Sequence, residues 1–232
     1  MISVIIPTYN ESSHILLTIR KIRQYDQAGL VKQIIVADGG STDNTAEMAA
    51  LEGAEVFISP KKGRAAQMNY GASFVTQTIM YFLHADTIPV NGFTSDVVAA
   101  IEGGAIAGCF MLSFNYKHWF LQANCWFTRF DVAAFRYGDQ SLFVNTTQFS
   151  AIQGFNETLI VFEDYDIIKR LKKMGSFTII KKPVITSARK YTDNGIFKIQ
   201  GIFYLMYFLY RFGFPQEKLV STYKRLVKQD KL

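Results

Sequence analysis

The chain has 232 residues, 49% of them hydrophobic and 19% charged, with a formal net charge of +6. That composition supports a sizeable core in one large domain and excludes a disordered chain, and two cysteines exclude a disulfide framework and point to a reduced, cytoplasmic setting. The positive balance suits nucleic acid, anionic lipid or phosphorylated small molecules, but the sequence has neither arginine-rich runs with interleaved aromatics nor a zinc-ligand spacing, which argues against nucleic acid.

Met1 leads almost directly into an apolar run, so no export leader is expected. Residues 3–7 read as a buried strand, followed by a helix that Asn10 or Ser12 would cap, with Ile15, Ile19 and Ile22 on one face. A second strand is expected over 33–37, a polar turn over 38–44 and a short helix over 47–52. Residues 54–58 form a third strand, 63–74 a helix and 79–83 a fourth strand. Strands alternating with helices predict βαβ units and a mostly parallel sheet, since strands covered on both faces read as continuous apolar runs. The second half is less regular: a helix over 96–102, a strand over 107–114, an aromatic-rich helix or helix pair over 117–135 and a strand over 141–145. A helix over 163–174, short strands over 177–180 and 184–187, and a helical last forty residues complete it. This predicts an α/β domain over 1–190, with a nucleotide-binding half over 1–90 and an acceptor half over 91–190, and a helical extension over 191–232.

In an open parallel sheet, ligands bind beyond the carboxyl ends of the strands. Three polar clusters follow such ends here: PTYNE at 7–11, DGGSTDNT at 38–45 and HADT at 84–87. Asp38 can accept a base N–H, and Gly39 and Gly40 allow close backbone approach; Asp38 and Ser41 also fit a turn that caps the next helix. Gly63 and Arg64 open a helix, a place that attracts phosphate, although Arg64 also fits an ordinary surface position. Asp86, beyond a buried strand, can hold Mg²⁺ or Mn²⁺ together with phosphate oxygens, or cap a turn before Pro89. FEDYD at 162–166 opens a helix whose N-terminus would hold a carboxylate as an anion, fit to take a hydroxyl proton; simple capping is the plainer alternative.

SVIIPTYNE, ADGGSTDNT, GRAAQMNYGA, FLHADT and FEDYD, in this order and spacing over residues 3–189, resemble family 2 glycosyltransferases. FLHADT, YGDQSLFV, FEDYDIIKRLKK, TSARKY and FGFPQEKL are similar to the bacterial subgroup called rSAM/selenodomain-associated transferase 2. The resemblance implies a GT-A fold, a nucleotide-sugar donor, a divalent metal (Mn²⁺ or Mg²⁺) and inversion at the anomeric carbon. It assigns Pro7, Thr8, Tyr9, Glu11, Asp38, Gly39, Ser41 and Arg64 to the nucleotide, with Asn69, His84 and Ala85 of the same motifs beside them. Asp86 matches the metal-binding last acid of the DXD motif, and Asp164 the catalytic base, with Glu163 next to it. His84 replaces the first DXD acid, which leaves that residue's ribose contact in doubt.

The expected reaction is a single displacement onto a hydroxyl acceptor, with Asp139, Gln140, Glu163 and Arg189 shaping the sugar and acceptor pockets. Two rivals are a nucleotidyltransferase and a non-catalytic nucleotide-sugar-binding protein. The first expects a glycine-rich, lysine-containing signature that PTYNESS is not; the second has no need of Asp86 and Asp164. Residues 194–214 are rich in phenylalanine and tyrosine and flanked by Lys198 and Arg211, and their apolar run of 201–210 is too short to span a bilayer. Core packing, a homodimer interface and peripheral contact with the inner face of a membrane all fit, the last with a lipid-linked acceptor.

Overall fold

A computed structural model describes residues 1–132 and 138–228. The first half runs β1 (Ile2–Thr8), α1 (Ser12–Tyr25), β2 (Val31–Asp38), α2 (Thr45–Leu51), β3 (Glu55–Ile58), α3 (Arg64–Ala72), β4 (Ile79–Phe82), β5 (Thr87–Ile88) and α4 (Phe93–Glu102). It continues as β6 (Ala107–Phe114), α5 (Trp119–Phe127), β7 (Leu142–Asn145), α6 (Thr146–Ala151), α7 (Glu163–Met174), β8 (Phe177–Thr186), α8 (Arg189–Asn194), α9 (Ile196–Arg211) and α10 (Gln216–Leu226).

The strands form one sheet in the order β3-β2-β1-β4-β7-β6-β8-β5. β1, β2, β3 and β4 pair in parallel, as the alternating pattern predicts. β7 then inserts antiparallel between β4 and β6, and β6 pairs parallel with β8, so the second half of the sheet is mixed. The period of two sorts the side chains of the central strands. Val4 and Ile6 of β1, Val36 of β2 and Tyr81 of β4 pack with Ile15, Ile19 and Ile22 of α1 on one face. Ile5, Ile35, Met80 and Phe82 pack with Ala65 and Met68 of α3 on the other. Each such fully buried aliphatic side chain stabilises the fold by about 1.5–3 kcal/mol. A Cβ on Gly71 would lie 2.8 Å from Ile5 Cγ2, so the small residues of α3 let its backbone lie close on β1.

Three expectations change. Neither Asn10 nor Ser12 caps α1: Glu11 occupies the cap position without a side-chain bond, while Asn10 takes a left-handed φ of 53° and accepts the amide of Thr42 at 2.8 Å. The orphan amide of Ser12 instead donates to Asp43 Oδ2 at 3.2 Å, so the 38–45 loop does the capping. The two short strands expected after α7 are one strand, β8, with a register shift where Phe110 pairs with Ile180 and Met111 with Pro183. The aromatic helix expected over 117–135 is α5, which ends at Phe127; residues 133–135, and Tyr137 of YGDQSLFV, lie outside the described residues.

A third apolar cluster joins Leu121 of α5 to Tyr191 of α8, Ile199, Ile202 and Met206 of α9, and Leu219 and Tyr223 of α10. The inward face of α9 is therefore core. Its outward face exposes Phe197, Tyr204, Leu205 and Phe208. Among the described residues, no helix is long and apolar enough to cross a membrane.

Candidate active site

The carboxyl ends of β1, β2 and β4 meet, as the parallel arrangement requires. Asp38 is buried at the end of β2, where it holds this edge together. Its Oδ1 accepts the amides of Gly40 and Ser41 at 2.9 and 2.7 Å, and its Oδ2 accepts the hydroxyls of Thr8 and Ser41 at 2.8 and 2.6 Å. Gln67 of α3 bridges the same two strands, donating to Thr8 O at 2.6 Å and Ala37 O at 2.9 Å.

A cavity of about 310 Å³ opens beyond this edge. Pro7 and Thr8 at the end of β1, Tyr9 and Glu11 after it, and Gly39 after β2 form one wall. Arg64 at the start of α3, and His84, Ala85 and Asp86 after β4, form the next. Asp139, Arg189 and Lys190 are among the rest of its lining. Asp38, Ser41 and Asn69, all assigned to the donor from the sequence, are not among the lining residues. Asn69 faces away, exchanging hydrogen bonds with the backbone of Phe155 at 2.9 and 2.8 Å.

Asp86 is half-buried, and Arg189 Nη2 lies 4.0 Å from it and 3.6 Å from Glu11 Oε1. Burial raises the Asp86 pKa, and the neighbouring carboxylates of Asp139 and Glu11 raise it further. Among the described residues there is no group of three or more potential ligands for a metal. The Asp86 carboxylate, with those of Glu11 and Asp139 near it, nevertheless fits a divalent cation whose other ligands are phosphate oxygens and water.

His84 Nδ1 lies 2.7 Å from Asp139 Oδ1. Burial opposes ionisation of Asp139, but this bond holds its carboxyl well below the usual range and raises the His84 pKa. The histidine at the first DXD position thus ties the end of β4 to the 138–140 turn. Gln140, in the same turn, is buried and lines neither this cavity nor the next.

A second cavity, of about 240 Å³, adjoins the first, and Arg64, Asp139, Ile160, Ser187 and Lys190 line both. Asp86 lines only the first, while Glu163 and Asp164 line only the second. α7 delivers these two acids from an unusual start: Phe162 has φ 67°, left-handed for a non-glycine residue, and its ring stacks on Tyr210 of α9 at 4.5 Å. Glu163, buried, accepts from Arg64 Nη1 at 2.9 Å, and Asp164 lies 4.0 Å from the same nitrogen. The sequence leads to the expectation that the helix N-terminus holds Asp164 as an anion; instead, burial and then the adjacent Glu163 push its carboxyl up to about 7.

Gln67, Lys190 and Gly138 are site residues that the sequence reading missed. Gln67 looks like any polar helix residue, but Lys190, beside Arg189 in SARKY, carried a visible charge signal.

The model of the glycosyl transferase family 2 matches residues 3–155, and the chain belongs to that family. An uncharacterised glycosyltransferase of Mycobacterium tuberculosis is 30% identical over 104 residues, 45% of each chain, so this chain matches less than half the length of that relative. The mannosyltransferase PcManGT from Pyrobaculum calidifontis, solved with GDP-Man and Mn²⁺, superposes with a TM-score of 0.69 at 16% identity, covering 90% of this chain and 61% of its own. S. aureus TarS with UDP superposes with a TM-score of 0.67 at 14% identity, covering 80% and 60%. The fold is that of GT-A glycosyltransferases.

Proposed function

We propose that the chain transfers a sugar from a nucleoside-diphosphate sugar to a hydroxyl acceptor by one displacement, with inversion. The observation that carries this reading is the junction of two cavities, one bearing Asp86 and the other Asp164, at Arg64, Asp139 and Lys190. A bond forms between the acceptor oxygen and the anomeric carbon as the bond from that carbon to the diphosphate oxygen breaks. The hydroxyl proton goes to Asp164, and the nucleoside diphosphate leaves. A pKa near 7 matches a base working at neutral pH, and Glu163, engaged with Arg64, is the poorer candidate. Arg64 and Arg189 face the departing diphosphate from two sides. Asp86 would hold Mn²⁺ or Mg²⁺, which supplies charge neutralisation for that leaving group. Nucleoside diphosphate among the products, rather than pyrophosphate, distinguishes this reaction from nucleotidyl transfer.

The exposed aromatic residues of α5 and α9, among them Trp119, Trp126, Phe197 and Phe208, lie beside the basic Lys117 and Lys198. Aromatic rings with flanking cations suit the headgroup level of an anionic inner leaflet, and we include such peripheral contact in the reading.

A further inference from the structure

The charged groups that line the second cavity are Arg64, Asp139, Glu163, Asp164 and Lys190. Much of the remaining lining is apolar or aromatic, including Phe114, Val161, Phe162, Phe203, Met206 and Tyr207. Four of its polar residues are paired with one another: Tyr191 Oη donates to Gln200 Oε1 at 3.0 Å, and Tyr204 Oη to Asn124 Oδ1 at 3.3 Å. A subsite built for a polar sugar aims several donors and acceptors at its ligand; this wall is made mainly of aromatic and aliphatic side chains instead.

Tyr204 belongs both to this wall and to the outer surface of α9, where it is 45% exposed. Phe197, Tyr204 and Phe208 are spaced seven and four residues apart, so they share one helix face. Phe197 also packs on Phe120 of α5 at 4.9 Å. An aromatic stripe therefore leads from the surface of α5 and α9 to the rim of the cavity.

We propose that the second cavity is the acceptor subsite, and that it takes an alcohol with an apolar body. The hydroxyl sits at Asp164, and the apolar chain runs past Phe203 and Met206 toward Tyr204. This deepens the transfer reading and rests on it. A chain buried there gains roughly tenfold in affinity for every two methylenes removed from water.

The test uses octyl β-glucoside below its micelle-forming concentration, with glucose as the polar control, in equilibrium binding by calorimetry. The expected result is saturable binding of one octyl β-glucoside, at least about tenfold tighter than glucose. Phe203→Glu should weaken it by about tenfold or more. Tyr204→Glu, at an exposed position that does not threaten folding, should do the same. Phe212→Ser, on the aromatic surface but outside the cavity, should leave it unchanged. Equal affinity for glucose and octyl β-glucoside would overturn the proposal, as would equal losses from Phe212→Ser and Tyr204→Glu, the mark of surface adsorption. Thermal shifts with UDP-, GDP- and dTDP-glucose on the same preparations separate the two levels. Donor binding without octyl β-glucoside binding ends the apolar acceptor and leaves the transfer reading standing. Octyl β-glucoside binding with no donor binding ends the transfer reading, and the cavity's acceptor role with it.

Discussion

Arg64 Nη1 lies 2.9 Å from Glu163 Oε1, so the first residue of α3 is clamped to the first residue of α7, 99 positions later. The clamp consumes the Glu163 carboxylate and leaves Asp164 facing the second cavity. Glu163 is also the neighbouring charge that raises Asp164 most, after burial itself. Glu163→Gln should therefore move the acidic limb of the kcat/KM profile to lower pH. An unshifted limb would assign the limb to another group.

In the wild-type chain, kcat/KM should fall about tenfold per pH unit below about 7, because the base must be ionised to take the proton. The same shift bears on stability. A carboxyl whose folded pKa is raised contributes stability that is full below its unfolded value and is lost as pH rises toward about 7. Asp164→Asn, which mimics the protonated form, should raise Tm at pH 8 but not at pH 4, and lower turnover by about 10²–10⁴. Equal Tm differences at both pH values would show that Asp164 ionises freely in the folded state.

Gly138 abuts the same carboxyl: a Cβ there would lie 2.0 Å from Asp164 Oδ2. Gly138→Ala should push the base out of line and cost roughly 10²-fold in turnover, the usual consequence of an ångström-scale misplacement, with donor affinity retained. Steady-state kinetics alongside donor titration check it.

Much of this was legible in the sequence because it is local. The apolar runs of β1, β2 and β4 and the polar clusters after them announce a parallel edge with a ligand beyond it. The place of β7 between β4 and β6 was not legible, since strand order is decided by long-range packing and LFVN carries no sign of its neighbours. β8 read as two strands because Lys181 and Lys182 interrupt its apolar pattern where the register shifts. In the site, Arg64, Asp86 and Asp164 stood out by charge and motif. Asp38 reads as a ligand residue or a turn residue; that its carboxylate accepts bonds from Thr8, Gly40 and Ser41 is a matter of side-chain geometry that no spacing records.

Tyr210 holds Phe162 in its left-handed conformation by stacking at 4.5 Å, which makes α9 part of the support of the base. Tyr210→Ala should lower stability by about 1 kcal/mol beyond the lost burial and reduce turnover more than donor affinity. Denaturant unfolding and kinetics on the same protein test both halves. Unchanged turnover would confine α9 to a packing role.

The aromatic face of α5 and α9 predicts flotation with anionic vesicles, weakened when Lys198 and Arg211 are neutralised together. A chain that stays in the soluble fraction as a stable dimer would assign that face to a second copy instead.

The central claim is that the cavity beyond β1, β2 and β4 binds a nucleoside-diphosphate sugar through a metal on Asp86. Its most direct measurement is the Tm of wild-type and Asp86→Ala protein with UDP-, GDP- and dTDP-sugars, with and without Mn²⁺. One donor at a hundred times its Kd should stabilise the wild type by about 2.7 kcal/mol. The Mn²⁺-dependent part should vanish in Asp86→Ala, whose unliganded Tm stays near that of the wild type. No shift with any donor, or full Mn²⁺ dependence in Asp86→Ala, would contradict it.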